Sequence, residues 1–195
     1  MEFVILGFLF IRQLTQYDLK QALQKKVSPF YSASLGSIQA ALKKLESNGH
    51  VALENKIDNG RQKKLYAVTD SGRQHFLKWM LSEIAPNRLE SESTTRLFFF
   101  GHLSSQQRLI VAQEIVYQFE LTVQQYAEVE LETAQIEIPE QLLDIAKYQI
   151  KTLHWGISYQ RQMLQFFKQL YSEIELECTS DSHESLFQAE KEKQN

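Results

Sequence analysis

The nine residues FVILGFLFI, Phe3 to Ile11, contain no polar side chain. A helix of this composition has no face suited to water, so other elements must cover it on more than one side. The run is too short to cross a bilayer, which takes about 20 apolar residues. Glu2 stands where a secretion signal would carry basic residues, and no small-residue cleavage site follows. A buried helix is therefore expected, with a subunit interface as one place for its outer side. The rest of the chain must build around it. With only 7 Gly and 3 Pro in 195 residues, long regular elements are expected, mostly helices.

Thr15 and Asp18 have the spacing of a capping box, so a second helix should start near Gln16 and end at Ser28-Pro29. Ser32 or Ser34 can cap a third helix, on which Leu35, Ile38, Leu42 and Leu45 form one apolar stripe. Gly36, Ala40, Lys43 and Ser47 turn the opposite way, and Asn48-Gly49 is a helix stop. Val51 and Leu53 alternate, Asn59-Gly60 turns the chain, and Tyr66 and Val68 alternate on the return, which predicts a two-stranded hairpin. Thr69 should cap a fourth helix bearing Phe76, Leu77, Met80, Leu81 and Ile84. Residues 85–94, APNRLESEST, have no apolar period and are expected to form a linker.

The second half is expected to be helical. A short aromatic-rich helix should cover residues 96–102. Ser104 and Gln107 have the spacing of a second capping box. One heptad then runs through Leu109, Val116 and Val123 with Ala112, Phe119 and Tyr126. Another runs through Leu143, Ile150, Ile157 and Leu164 with Ala146, Leu153, Gln160 and Phe167. Two long antiparallel helices cannot enclose a core alone. A second copy of the chain should complete the bundle through Ile150, Leu153, Ile157, Leu164 and Phe167. The tail, 178–195, is polar and acidic and is expected to be mobile or weakly helical.

The fold class expected is thus mainly α with one small hairpin. It has a head at 1–84, a linker at 85–94, a helical dimerisation and effector domain at 95–177, and the tail. Charge divides along the same line. Residues 1–84 carry 12 Lys+Arg against 7 Asp+Glu, net +5, while residues 85–195 carry 9 against 17, net −8. Only the head is then suited to a polyanion.

Helix, helix, turn, helix, hairpin, helix is the order of a winged helix-turn-helix. In that fold the third helix enters the major groove of double-stranded DNA, and the hairpin tip lies over the backbone or enters the minor groove. Ser34, Ser37, Gln39, Lys43 and Lys44 are the expected contacts on the third helix. Gly60, Arg61, Lys63 and Lys64 are those at the hairpin tip, where Gly60 permits close approach.

Three stretches carry a resemblance: ILGFLFIRQLTQYDLKQAL, SLGSIQAALKKLESNGHV and GRQKKLYAVTDSGR. Together they resemble the phenolic acid decarboxylase repressor (PadR) family. LFFFGHLS and HWGISYQRQMLQFF extend the likeness into the virulence-activator-like helical C-terminal domain of that family's longer members. The resemblance implies a homodimeric, cytoplasmic, bacterial-type transcription factor, more often a repressor than an activator. It departs from the family at Gln39, where an aromatic is common, and at Gln62, where Pro is common.

Trp79, Phe98, Phe99, Phe100, His154, Trp155, Tyr159 and Phe166 come from segments that can converge where two domains meet. Aromatic walls with a few polar groups suit a small aromatic effector, and the family name points to phenolic acids; ordinary core packing is the competing reading. The five histidines have neither ligand spacing nor a cysteine pair, so no metal is expected. Lone Cys178 excludes an intrachain disulfide and fits a reducing cytoplasm. There is no Gly-rich phosphate loop and no nucleophile elbow, so neither an enzyme nor a cofactor is expected. A protein-interaction adaptor using the winged head, and an activator without ligand, are the rival functions.

Overall fold

A computed structural model describes residues 1–24, 34–58 and 61–192. The elements run α1 (Glu2–Ile11), α2 (Gln16–Ala22), α3 (Leu35–Ser47), β1 (Val51–Asp58), β2 (Arg61–Val68), α4 (Asp70–Met80), α5 (Leu89–Phe98), α6 (Ser105–Ala134) and α7 (Leu143–Glu192). The fold class is the expected one, mainly helical with one antiparallel hairpin. The anticipated stop at Ser28-Pro29, the alternative cap Ser32 and the turn Asn59-Gly60 lie outside the described residues. The chain forms two compact units. One comprises Met1–Ser82 with Thr94–Phe100, the other Glu83–Ser93 with Gly101–Asn195.

In the first unit α1 is enclosed as its composition demands. Val4, Ile5, Leu6, Phe8 and Leu9 are all buried, and α1 packs against α3, α4 and β2. Each such side chain contributes about 1.5–3 kcal/mol. Thr15 and Asp18 do form the capping box: the Thr15 hydroxyl accepts from the Asp18 N–H at 3.1 Å, and Asp18 accepts from the Thr15 N–H at 3.2 Å. α3 buries Ile38, Ala41, Leu42 and Leu45. Leu35, expected in that stripe, is 45 % exposed. It is the first helical residue and runs past the core, and Ala41 fills the inward face. Gly49, at φ 72°, ends the helix in the left-handed region that favours glycine.

α4 is capped by Thr69, whose hydroxyl accepts from the Gly72 N–H at 3.0 Å and donates to the Gly49 carbonyl at 2.7 Å. The far end of α4 is closed by Arg96. This fully buried guanidinium donates to the carbonyls of Met80 and Ser82 and lies 5.1 Å from the Trp79 ring centre. Leu81, expected on the apolar face of α4, is 42 % exposed because the helix has already ended at Met80.

In the second unit α6 and α7 run antiparallel. Phe119 stacks on Phe167 at 5.5 Å, Glu120 pairs with Lys168 at 2.6 Å, and Glu130 lies 3.6 Å from His154. Rising numbers on one helix thus meet falling numbers on the other. Val111, Ala112, Ile115 and Phe119 of α6 are buried, as are Ile157, Gln160, Phe167 and Ile174 of α7.

A further expectation is corrected. Residues 85–94 are not an irregular linker: Pro86–Arg88 forms a 3-10 turn and α5 begins at Leu89. Its ladder is reinforced by Ser93, buried, donating to the Leu89 carbonyl. Beyond Cys178 the helical alternative holds for the backbone, since α7 continues to Glu192.

Candidate nucleic-acid interface

α3 presents a polar row opposite its buried stripe. Gly36, Ser37, Gln39, Ala40, Lys43, Lys44 and Ser47 are exposed, while Ile38, Ala41, Leu42 and Leu45 face the core. This division follows from the 3.6-residue period. Ser34 is the N-cap: its Oγ accepts from the Ser37 N–H at 3.1 Å, and the Ser37 hydroxyl donates back to the Ser34 carbonyl at 2.8 Å. Both hydroxyls therefore fix the start of the helix. Lys44 turns toward α1, where its Nζ meets Glu2 at 2.8 Å. Lys43 has no ion-pair partner among the described residues. Gln39 and Lys43 are thus the long polar side chains of the row left without a bonded neighbour among the described residues.

The hairpin stands beside this helix, anchored at its foot and partway along. At its foot the Thr69 N–H donates to the His50 carbonyl at 3.1 Å. Halfway along, Leu14 forms a bridge with Tyr66, with N···O distances of 3.2 and 2.9 Å. Gln13 adds a bond to Glu54 at 2.9 Å. Burial, then the Glu46 carboxylate, raises the Tyr66 phenol above its ordinary 10.0, which keeps it protonated.

The register pairs Asp58 with Arg61, Lys56 with Lys63 and Asn55 with Lys64. Successive strand residues face opposite sides, so Lys63 and Lys64 do not share a face. Lys56 and Lys63 stand directly opposite on one face, and Lys64 is on the other with Asn55. Sequence reasoning missed Lys56. Counting outward from a two-residue turn at Asn59-Gly60 places it opposite Lys63, and that was the available signal. Gly60 lies outside the described residues, and Arg61 is placed here by its backbone only.

The expected effector residues divide between the units. In the first, Trp79 stacks on Phe3 at 4.5 Å, and Phe99 is buried against Phe8, Phe76 and Phe98. A cavity of about 540 Å³ in this unit is lined by Phe8, Ile11, Leu14, Ala22 and Phe98 with the polar Arg12, Asp18 and Gln21. Phe98 lines it; Trp79 and Phe99 do not. In the second unit Trp155, 70 % exposed, stacks on Tyr159 at 5.9 Å. His154 faces Glu130. Burial, then the charge and hydrogen bond of Glu90, raises the Tyr159 phenol. Glu90 also accepts from Gln160 Nε2 at 2.9 Å.

Of the residues expected to join two copies, Ile157 and Phe167 are buried within their own chain against α6. Ile150, Leu153 and Leu164 are half-buried. The strongly exposed aromatics of α7 are instead Tyr148, Trp155 and Phe166. At 100° per residue they form one stripe on the side away from Ile157.

Comparison with known proteins agrees with the architecture of the head. Residues 5–78 match the model of the transcriptional regulator PadR-like family. The negative transcriptional regulator PadR of Bacillus subtilis is 29 % identical over 109 residues, which cover 55 % of this chain and 60 % of that protein. A probable transcriptional regulator of Mycobacterium tuberculosis is 30 % identical over 73 residues, covering 37 % of this chain and 39 % of its own. The chain thus spans less than two thirds of either relative. Among solved structures, B. subtilis PadR in complex with operator DNA aligns with a TM-score of 0.42 at 21 % identity, over 89 % of this chain and 98 % of that one. The relatives are described as regulators of transcription rather than as enzymes. Over residues 5–78 this chain is thus similar to the transcriptional regulator PadR-like family.

Proposed function

We propose that the chain is a cytoplasmic transcriptional repressor that binds a two-fold operator as a homodimer. The observation that carries the reading is the exposed row of Ser37, Gln39 and Lys43 on α3 beside a hairpin bearing Lys56, Lys63 and Lys64. In this reading Gln39 and Lys43 face base edges in the major groove. Lys56, Lys63, Lys64 and Arg61 face phosphates, with Gly60 at the tip and Lys44 held toward Glu2 until a phosphate competes for it. Ser34 and Ser37 set the helix start close to the backbone. Dimerisation uses the stripe Tyr148, Trp155 and Phe166, while Ile150, Leu153 and Leu164 lie on the Ile157 side of the helix. It would hold two heads about 34–36 Å apart, or a multiple of that, to match half-sites on one face of DNA.

Selection of retained fragments from a random DNA pool, followed by mobility shift with competitor, tests this. Enrichment of an inverted repeat supports it. Equal retention of all sequences, or none, points to the adaptor reading, in which the head binds protein. A phenolic effector is the finer part of the proposal. Titrating a hydroxycinnamic acid should then quench tryptophan emission and release the operator.

A further inference from the structure

His50 and His75 come from different elements and lie face to face. His50 is the residue between Gly49 and β1, at the foot of the hairpin, and His75 is on α4. Their ring centres are 4.4 Å apart and their planes differ by 10°. Phe3 of α1 lies 5.1 Å from His75 and stacks on Trp79 at 4.5 Å. The two imidazoles are thus one end of a four-ring column joining α1, α4 and the hairpin. His50 Nδ1 is 3.1 Å from the Ser71 hydroxyl, and the His50 carbonyl accepts from the Thr69 N–H. The backbone closes in as well: a Cβ at Gly72 would clash with the His50 carbonyl oxygen. The hairpin is fastened to α4 at this point.

The charged groups acting on His75 are Glu2 from α1, Lys44 from α3, Lys78 from α4 and His50 itself. Lys44 and Lys78 are cations, and the one carboxylate, Glu2, already pairs with Lys44 at 2.8 Å. Neutral imidazoles stack at this separation. An imidazolium at His75 would face the two lysines with little counter-charge left beside it.

We infer that the stacked His50–His75 pair is a proton-operated joint, closed at neutral pH and loosened at mildly acidic pH, that fastens the foot of the hairpin to α4. The joint belongs to the head itself and stands whether or not the head binds DNA. Its pH sense follows from His75, which burial first and then His50, Lys78 and Lys44 hold below the ordinary 6.5 against the opposite pull of Glu2. Above 6.5 neither the folded nor the unfolded chain holds the proton. As pH falls below 6.5 the unfolded chain takes it first, so stability is lost through that window and levels off below the folded value.

Thermal melting of the full chain tests the joint. A Trp155→Phe background leaves Trp79, inside the ring column, as the single tryptophan reporter, since the chain has two. Between about pH 7.5 and 5.5 the Tm should fall by roughly 3–6 °C more with His75 than with His75→Phe, which keeps a stacked ring and cannot titrate. Parallel curves for the two proteins overturn the joint. Should His75→Phe fail to fold, the His75 imidazole Cε1–H resonance is followed in the unsubstituted chain. A midpoint below 6.5 that rises on His50→Phe supports the joint, and a midpoint at or above 6.5, or one that His50→Phe leaves unmoved, overturns it.

Discussion

A Cβ on Gly7 would lie 2.6 Å from the ring of Phe99. The α1 backbone therefore rests directly on an aromatic face, and the ring cannot retreat. Phe8, Phe76 and Phe98 hold it edge-on at 5.6, 5.7 and 4.9 Å. Gly7→Ala should cost about 1–3 kcal/mol through overpacking, offset by at most about 1 kcal/mol of helix propensity. Urea unfolding measures it. A variant more stable than the parent would mean that the ring yields.

The hairpin charges should act together but on two faces. Replacing Lys56, Lys63 and Lys64 by Ala should weaken binding to every DNA sequence and flatten the slope of log affinity against log salt by up to about 0.9 per lost phosphate contact. Lys56→Ala alone should flatten it about as much as Lys63→Ala, because the two stand opposite each other. Titration at several salt concentrations reads the slope; an unchanged triple mutant would remove the hairpin from the backbone.

On α3 the expectation is different. Gln39→Ala and Lys43→Ala should each relax preference at one or two base pairs by about 1–3 kcal/mol, with smaller losses on random DNA. Lys44→Ala should lose less, because its ammonium already has Glu2. Binding to a panel of single-base operator variants separates these outcomes, and uniform losses across the panel would contradict base reading.

The two sides of α7 should respond differently to charge. Ile157→Asp places a carboxylate at a position 3 % exposed and should lower the stability of the helical unit by several kcal/mol. Trp155→Asp with Phe166→Asp should leave helicity intact and shift sedimentation from dimer to monomer, since both residues are more than half exposed. A double variant that remains dimeric would move the interface off this stripe.

Local signals accounted for most of the head. The capping residues Thr15, Ser34, Thr69 and Ser104 each accept the expected backbone N–H, because a cap needs only residues three positions apart. What sequence could not supply was partnership at a distance. Arg96 looks like a surface cation until it is seen closing α4 at Met80, 16 residues earlier. Residues 89–94 lack an apolar period, and their helix is read instead from Leu89 and Ser93, both buried. The heptad on α7 was visible, but a repeat does not say whether its apolar side meets α6 or a second chain. Phe167 on Phe119 answers that for the inward side. Exposure on the candidate surface separates in the same way: that of Gln39 and Lys43 follows from helical periodicity, whereas the placing of Lys56 beside Lys63 needs the strand register.

The bridge between Leu14 and Tyr66 has a consequence for solubility. A bare two-stranded ribbon exposes two rows of unpaired amides and carbonyls, and each is a template on which another molecule's strand can grow. Leu14 occupies part of the row along β2. The row along β1 stays open, but the strand is eight residues long and carries exposed Glu54 and Lys56. A copy zipping onto it in antiparallel fashion would bring like charges together at several registers. The head is thereby less open to ribbon-to-ribbon growth between copies at high concentration.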